Sequence, residues 1–137
     1  MSEREMYPMI GSYLCREGYS KVSYELPQRR GSARTIDVVG FKSLGRSTVV
    51  VEAKLSHYAQ ALRQGQLRLL ISDFVYISFP AEYAQRIERE RRDKLEELGL
   101  GLLAVDGQAR ELVPPEESPW VNAERKEALI QMIIDEK

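Results

Sequence analysis

The run VVVEAK, residues 49–54, most constrains how this 137-residue chain can fold. Three valines in succession are typical of a strand that is covered on both faces. The run nevertheless ends in a carboxylate and an ammonium, Glu52 and Lys54, which strand alternation places on one face with their roots roughly 7 Å apart. A lone E-x-K often marks a solvated ion pair on an edge strand, but the valines argue against an edge. The sequence therefore predicts a central strand with a charged pair at its end.

Helix-like and strand-like patterns surround this strand in a definite order. The segment up to Gly18 has the apolar spacing of a helix, and the strand-like runs KVSYEL, RTIDVVGF and STVVVEAK follow it as an antiparallel meander. Two helical patterns, HYAQALRQGQLRLLI and AEYAQRIERERRDKLEEL, then alternate with the strands FVYISF and GLGLLAVDG, which requires parallel crossovers. Gly65 marks a close approach to the first of these helices. We therefore predict an α/β sandwich with a mixed sheet in the order α-β-β-β-α-β-α-β-α.

The C-terminal region adds smaller elements to this core. AREL is a candidate hairpin partner of the last strand, PPEESP is a linker, and a final helix is expected from Val121 to about Ile134. Trp120 is expected to pin that helix to the core. The linker and helix thus complete the domain.

Length and composition indicate one domain, 1–137, that folds on its own. The single cysteine, Cys15, excludes an intramolecular disulfide and a Cys-based zinc cage, and we expect it to be a small buried thiol. The N terminus has charges where a signal peptide needs an apolar core, and no apolar run approaches the roughly 20 residues of a membrane span. We therefore expect a cytoplasmic protein that does not bind membranes.

Charge is distributed unevenly along the chain. The formal net charge of −1 excludes a generic polyanion binder. Residues 28–46 nevertheless carry five cations against one acid, whereas residues 111–137 carry seven acids against three bases. The helical segment 81–98 balances five bases with six acids, which is typical of an exposed helix. A local basic patch can therefore coexist with an acidic total.

A second acid lies among β-branched residues on the preceding strand, as Asp37 within TIDVV. If the two strands pair around the turn KSLGR, Asp37 and Glu52 converge at one end of the sheet. Burying two carboxylates is expensive unless they are paired or bound to a metal. Two carboxylates, a backbone carbonyl and waters suit Mg²⁺. Lys54 would then position a water or neutralise charge on a phosphate.

These elements resemble the PD-(D/E)xK, or restriction-endonuclease-like, nuclease superfamily. Its core is a helix, a three-stranded meander, a helix and a further strand, with an acid on the second strand and E-x-K on the third. Asp37 and Glu52 match this pattern fifteen residues apart, although Ile36 stands at the position of the proline that names the motif. The resemblance covers about residues 3–106 and leaves the C-terminal hairpin, linker and helix, 107–137, outside it. It implies a restriction-endonuclease-like α/β/α sandwich.

The resemblance also implies an activity and a set of ligands. The reaction is hydrolysis of a DNA phosphodiester bond by a water that Mg²⁺ activates, with Mn²⁺ as a substitute, leaving a 5′-phosphate and a 3′-hydroxyl. Asp37, Glu52 and the backbone carbonyl of Ala53 would be the metal ligands, and Lys54 the catalytic cation. The resemblance therefore predicts a Mg²⁺-dependent endonuclease.

Two helices are expected to contribute further site residues. Members similar to Holliday junction resolvases and Mrr-like nucleases carry a metal-binding Glu in the first helix, for which Glu5 is the best candidate and Glu3 the second. Gln64 matches an ALxQ motif of several branches and would contact phosphate or water; a solvent-facing glutamine is the alternative. His57 is the only histidine, which excludes sites that need a histidine pair, and we expect it at the start of a surface helix.

Arg29, Arg30 and Arg34 lie in a loop just before the strand of Asp37, where they are expected to hold DNA phosphates. A solubilising turn is the alternative.

A domain this small has no separate DNA-reading module, so we expect recognition of DNA structure or a substrate delivered by additional protein subunits. Cutting both strands requires two copies, which predicts a homodimer. The rival interpretations are a catalytically inactive nuclease-fold protein that serves as a DNA-binding or assembly subunit, and a plain interaction domain.

Overall fold

The computed structural model describes residues 1–28 and 34–136, which form four α-helices and a six-stranded sheet. The elements are α1 (Glu3–Arg16), β1 (Lys21–Pro27), β2 (Thr35–Lys42), β3 (Ser47–Ala53), α2 (Tyr58–Arg68), β4 (Phe74–Pro80), α3 (Ala81–Leu98), β5 (Gly101–Val105), β6 (Ala109–Val113) and α4 (Ala123–Asp135). The predicted order of helices and strands is confirmed, and AREL pairs with β5 as the expected hairpin partner.

The six strands lie in chain order, β1-β2-β3-β4-β5-β6. The pairs β1–β2, β2–β3 and β5–β6 are antiparallel, whereas β3–β4 and β4–β5 are parallel. The predicted mixed sheet is therefore confirmed. Val49, Val50 and Val51 are fully buried, because β3 lies in the middle of the sheet with a helical layer on each face.

Two apolar clusters show which helices cover which face. Met6, Ile10 and Leu14 of α1 pack with Val38 and Val51 on one face. Residues of α2, α3 and α4 form the other cluster, which includes Ala61, Ile87, Leu95, Leu129 and Val50. None of the described helices has the length and apolar character needed to cross a membrane. Successive positions of β3 therefore face different helical layers, and Glu52 follows the face of Val50.

Two expectations about single side chains are wrong. Cys15 is exposed, because the buried stripe of α1 runs through Met6, Ile10 and Leu14. Trp120 is 66% exposed and does not pin the last helix. Ser118 anchors the linker instead, since its hydroxyl donates to the Leu69 carbonyl at 2.7 Å.

Candidate functional site

The structure brings Asp37 and Glu52 together at one end of the sheet. The paired register of β2 and β3 ends with Val38 opposite Val51, so the next two residues to face each other are Asp37 and Glu52. Asp37 replaces a backbone partner at this point, because its Oδ2 accepts the Ala53 N–H at 2.8 Å. The two acids therefore meet where the ladder between their strands ends.

Asp37 also has a side-chain partner on helix α1. Its Oδ1 accepts a hydrogen bond of 3.0 Å from the Tyr7 hydroxyl of α1. On the other side, the β1–β2 register passes over Glu25, whose backbone is left-handed with φ of 50°. Asp37 is half-buried in this irregular stretch. Its carboxylate is therefore fixed from the α1 side while remaining close to Glu52.

Glu52 points into the layer that contains α2. Its Oε1 accepts a hydrogen bond from Arg68 Nε at 2.5 Å, and the two side chains are only 3% and 9% exposed. Arg68 reaches Glu52 because α2 packs closely onto the sheet at Gly65, where an added Cβ would lie 3.1 Å from Ile77 Cγ2. The predicted close approach at Gly65 is thus confirmed.

Charge is not balanced between these groups. Burial, followed by the charge of Asp37, raises the pKa of Glu52 to about 7, although the charge of Arg68 acts in the opposite direction. Burial and the same Asp37 charge also raise the pKa of Tyr7, so its hydroxyl stays protonated and donates. One guanidinium therefore does not compensate two adjacent carboxylates.

Lys54 follows directly after β3 and is half-buried. Its backbone N–H donates to the Ser78 carbonyl at 3.0 Å, which continues the pairing with β4. The Lys54 ammonium makes no hydrogen bond or ion pair with any residue of 1–28 or 34–136. A cationic group that has no fixed partner among the described residues therefore lies two residues beyond Glu52.

Gln64 precedes Arg68 by one turn of α2, so the two residues lie on the same side of that helix. Its Oε1 is buried and has no hydrogen-bond partner in the described part of the chain. Such an orphaned acceptor is uncommon and invites a ligand or water. This placement disfavours the alternative of a solvent-facing glutamine.

Glu5 does not join the site. It is exposed, and its carboxylate accepts the Ser2 N–H at 3.0 Å within a capping box that begins α1. These bonds lower its pKa. The expected position of Glu5 on the core-facing side of α1 is wrong, because the buried stripe starts at Met6 and Glu5 lies outside it. Glu3, the second candidate, lies one turn before Tyr7, and its charge contributes to the raised pKa of Tyr7.

The remaining predicted contacts lie on the surface. His57 is exposed at the start of α2 in a left-handed conformation, and its side chain does not cap the helix. Arg34 is exposed just before β2. Arg29 and Arg30 lie outside the described residues.

Sequence reasoning missed Arg68 and Tyr7. Arg68 continues the buried side of α2 that begins with Ala61 and Gly65, and a cation on an apolar stripe is a signal that could have been used. Tyr7 has no comparable signal, because an aromatic residue beside Met6 is ordinary in a packed helix. Both residues nevertheless contact the predicted acids.

The donor set can be compared with the needs of Mg²⁺. Asp37 and Glu52 supply two carboxylates, which is the number that Mg²⁺ uses when water completes its shell. Within residues 1–28 and 34–136, no group of three or more His, Cys, Asp or Glu side chains could hold a metal ion. A cation at this site would therefore be held by two carboxylates and water, and would not be enclosed by side chains of the described residues.

Comparison with protein-family models, curated proteins and solved structures found no significant match. The functional interpretation therefore depends on the arrangement of Asp37, Glu52, Lys54 and Arg68 in this chain.

Proposed function

We propose that this protein is a Mg²⁺-dependent DNA endonuclease with a restriction-endonuclease-like fold, in which Asp37 and Glu52 bind the metal. The observation that carries the proposal is a buried Glu52 beside Asp37, with a single guanidinium as the counter-charge. Such an arrangement attracts a further cation, because uncompensated charge is costly in the protein interior. The element order and the positions of both acids also match the superfamily pattern described above.

Each site residue has a task in this proposal. Asp37, Glu52 and the Ala53 carbonyl would hold Mg²⁺, which when bound acidifies water, shields phosphate charge and orients the scissile group. Lys54 neutralises the charge that develops on the phosphate. The Tyr7 hydroxyl keeps Asp37 in one orientation, as partners of metal ligands usually do.

DNA binding and assembly are part of the same proposal. Arg29, Arg30 and Arg34 precede β2, which begins two residues before Asp37, so their positive charge would hold phosphates close to the site. Gln64 offers a water or phosphate-bound group its buried oxygen, which has no hydrogen-bond partner within residues 1–28 and 34–136. A homodimer would cut both strands, and additional subunits would deliver the substrate.

The Arg68–Glu52 ion pair favours a second candidate function. A guanidinium already occupies one oxygen of the proposed metal ligand. In a chain that had lost catalysis, such a pair would replace the metal as the permanent counter-charge of the acid. The alternative is therefore a catalytically inactive nuclease-fold protein that acts as a DNA-binding or assembly subunit.

Cleavage of a panel of branched and linear DNAs with Mg²⁺ or Mn²⁺ tests the proposal. We expect Asp37→Asn, Glu52→Gln and Lys54→Met each to lower the rate by about 100-fold or more, as the loss of one transition-state contact does. Asp106→Asn is the control, because Asp106 is exposed and, among residues 1–28 and 34–136, forms an ion pair only with Arg110. DNA binding without cleavage by the wild type would favour the inactive alternative, and cleavage unaffected by Asp37→Asn would refute the assigned site.

A further inference from the structure

Arg68 lies between Glu52 and a cavity. Its Nε donates to Glu52 Oε1, while the residue also lines a cavity of about 690 Å³ between α2 and α4. The wall of this cavity is mainly apolar, with Leu67, Ile71 and Met132 among its members. The end of α2 thus carries a cation that has the acid on one side and open space on the other.

A divalent cation and the Arg68 guanidinium would compete for the same carboxylate. Within residues 1–28 and 34–136, Arg68 is the only cation that donates a hydrogen bond to the Glu52 side chain, which also interacts with the neighbouring Asp37 carboxyl. Two cations held against one buried carboxylate repel each other strongly, because the interior screens charge poorly. Binding of a metal through Glu52 Oε1 therefore requires the guanidinium to move, and binding through the second carboxylate oxygen places the metal beside the guanidinium against this repulsion.

The cavity offers a place for the displaced side chain. Arginine has a long flexible stem that packs on apolar surface while its head remains solvated. Gln28 and Gln131 also line the cavity, and their amide oxygens are acceptors for guanidinium N–H groups. A movement of the side chain alone, without a shift of α2, would release Glu52.

We propose that Arg68 is the resident counter-cation of the site, and that a divalent cation binds Glu52 only in exchange for the guanidinium, which withdraws into the cavity between α2 and α4. This inference rests on the proposed function and adds a positioning residue to it. It also gives the ion pair a role that differs from permanent inactivation.

Titration calorimetry with Mn²⁺ alone tests the exchange without measuring activity. We expect Arg68→Gln to bind Mn²⁺ at least ~10-fold more tightly than the wild type, because the competing cation is gone. Arg63→Gln is the matched control on the exposed side of the same helix, and its affinity should equal that of the wild type. Thermal unfolding of each variant confirms that it is folded.

Ala128→Leu provides a second variant that leaves Arg68 and the acids unchanged. Ala128 is exposed on α4 and lines the cavity, so a larger side chain there fills the space without disturbing the core. We expect Mn²⁺ to bind this variant several-fold more weakly than the wild type, because the guanidinium has less room to withdraw. The Mn²⁺ affinity of Ala128→Leu tests the exchange on its own if Arg68→Gln does not fold.

The outcomes separate the inference from the proposed function. Tighter binding by Arg68→Gln, with Mn²⁺ also bound by the wild type, supports the exchange. Binding by Arg68→Gln alone overturns it, because the guanidinium then blocks Glu52 permanently, as in the inactive alternative. Equal or weaker binding by Arg68→Gln, with Mn²⁺ still bound by the wild type, overturns the exchange but leaves the nuclease proposal standing. Failure of every folded variant to bind Mn²⁺ overturns both.

Discussion

Two buried acids lie at opposite ends of the parallel strands β3 and β4, and their surroundings differ. Asp73, at the start of β4, accepts the Thr48 N–H at 2.9 Å and the Thr48 hydroxyl at 3.2 Å. The Lys126 ammonium lies 2.8 Å from the same carboxylate oxygen. Asp73 thereby connects the start of β3 to helix α4, and each of these interactions compensates its charge.

Glu52, at the other end, has one ionic partner and one repulsive neighbour. Arg68 donates to it, whereas the charge of Asp37 and burial raise its pKa. An acid with several donors stabilises its fold, whereas an undercompensated acid reduces stability and is found disproportionately at functional sites. The contrast therefore indicates a structural role for Asp73 and supports the functional role that we propose for Glu52.

The largest effect on stability should come from removing the charge of Asp73. We expect Asp73→Asn to lower the free energy of unfolding by about 3 kcal/mol, because charge-assisted hydrogen bonds are lost and Lys126 is left unpaired. Urea unfolding at neutral pH measures this change. Asp106→Asn is the control, since its exposed pair with Arg110 should contribute less than about 1 kcal/mol. Equal effects of the two substitutions would mean that Asp73 contributes no more to stability than an exposed ion pair, which would contradict its structural role.

The pH dependence of stability sharpens the contrast at the Glu52 end. Because the folded-state pKa of Glu52 is raised from 4.5 to about 7, the folded state binds more protons than the unfolded state within that interval. The contribution of Glu52 to stability is therefore fully present below pH 4.5 and is lost as the pH rises through 7. In metal-free protein with a chelator, we expect a loss on the order of 2 kcal/mol across this window.

Glu52→Gln isolates this effect. The amide cannot ionise but still offers Arg68 an oxygen acceptor. The free energy of unfolding of the wild type, measured relative to that of the variant, should therefore rise as the pH falls from 8 to 5. Urea unfolding at several pH values measures it. A difference that does not vary with pH would mean that Glu52 titrates at its ordinary pKa and is fully compensated by Arg68.

Much of the fold could be predicted because each element carries its own periodicity. The valine run of β3, the meander before it and the alternation after it all follow from local patterns, and the resulting sheet order has few alternatives. The exact edge of the buried stripe on α1 could not be predicted in the same way. Met6 and Met9 both belong to the apolar spacing, but packing on the sheet buries Met6 fully and Met9 only in part, which leaves Glu5 in solvent.

Only the site residues whose positions follow from strand pairing could be predicted from the sequence. Asp37 and Glu52 converge because a short turn links their strands, which fixes which residues face each other. Arg68 depends instead on how α2 docks on the sheet, and Tyr7 on how α1 docks on the opposite face. The positions of helices over a sheet are tertiary information, so the partners of both acids were not accessible from local pattern.

The substitution with the smallest expected effect is at Gly65, where it tests how closely α2 packs on the sheet. A Cβ added there would lie 3.1 Å from Ile77 Cγ2 and 3.3 Å from Leu100 Cδ1, so α2 would have to move away from β4. We expect Gly65→Ala to lower the free energy of unfolding by about 1 kcal/mol, because the cost of overpacking exceeds the gain in helix propensity. Urea unfolding measures it, and Gln66→Ala, exposed on the same helix, is the matched control that should be near neutral.

The same substitution should weaken the contact between Arg68 and Glu52, since Arg68 lies one turn beyond Gly65 on the docked side of α2. A longer separation between the two side chains would raise the pKa of Glu52 further and steepen the loss of stability with pH. If Gly65→Ala behaves like Gln66→Ala in both measurements, close docking of α2 is not what sets the charge balance at Glu52. Its difference from Asp73 would then depend on burial and on the charge of Asp37.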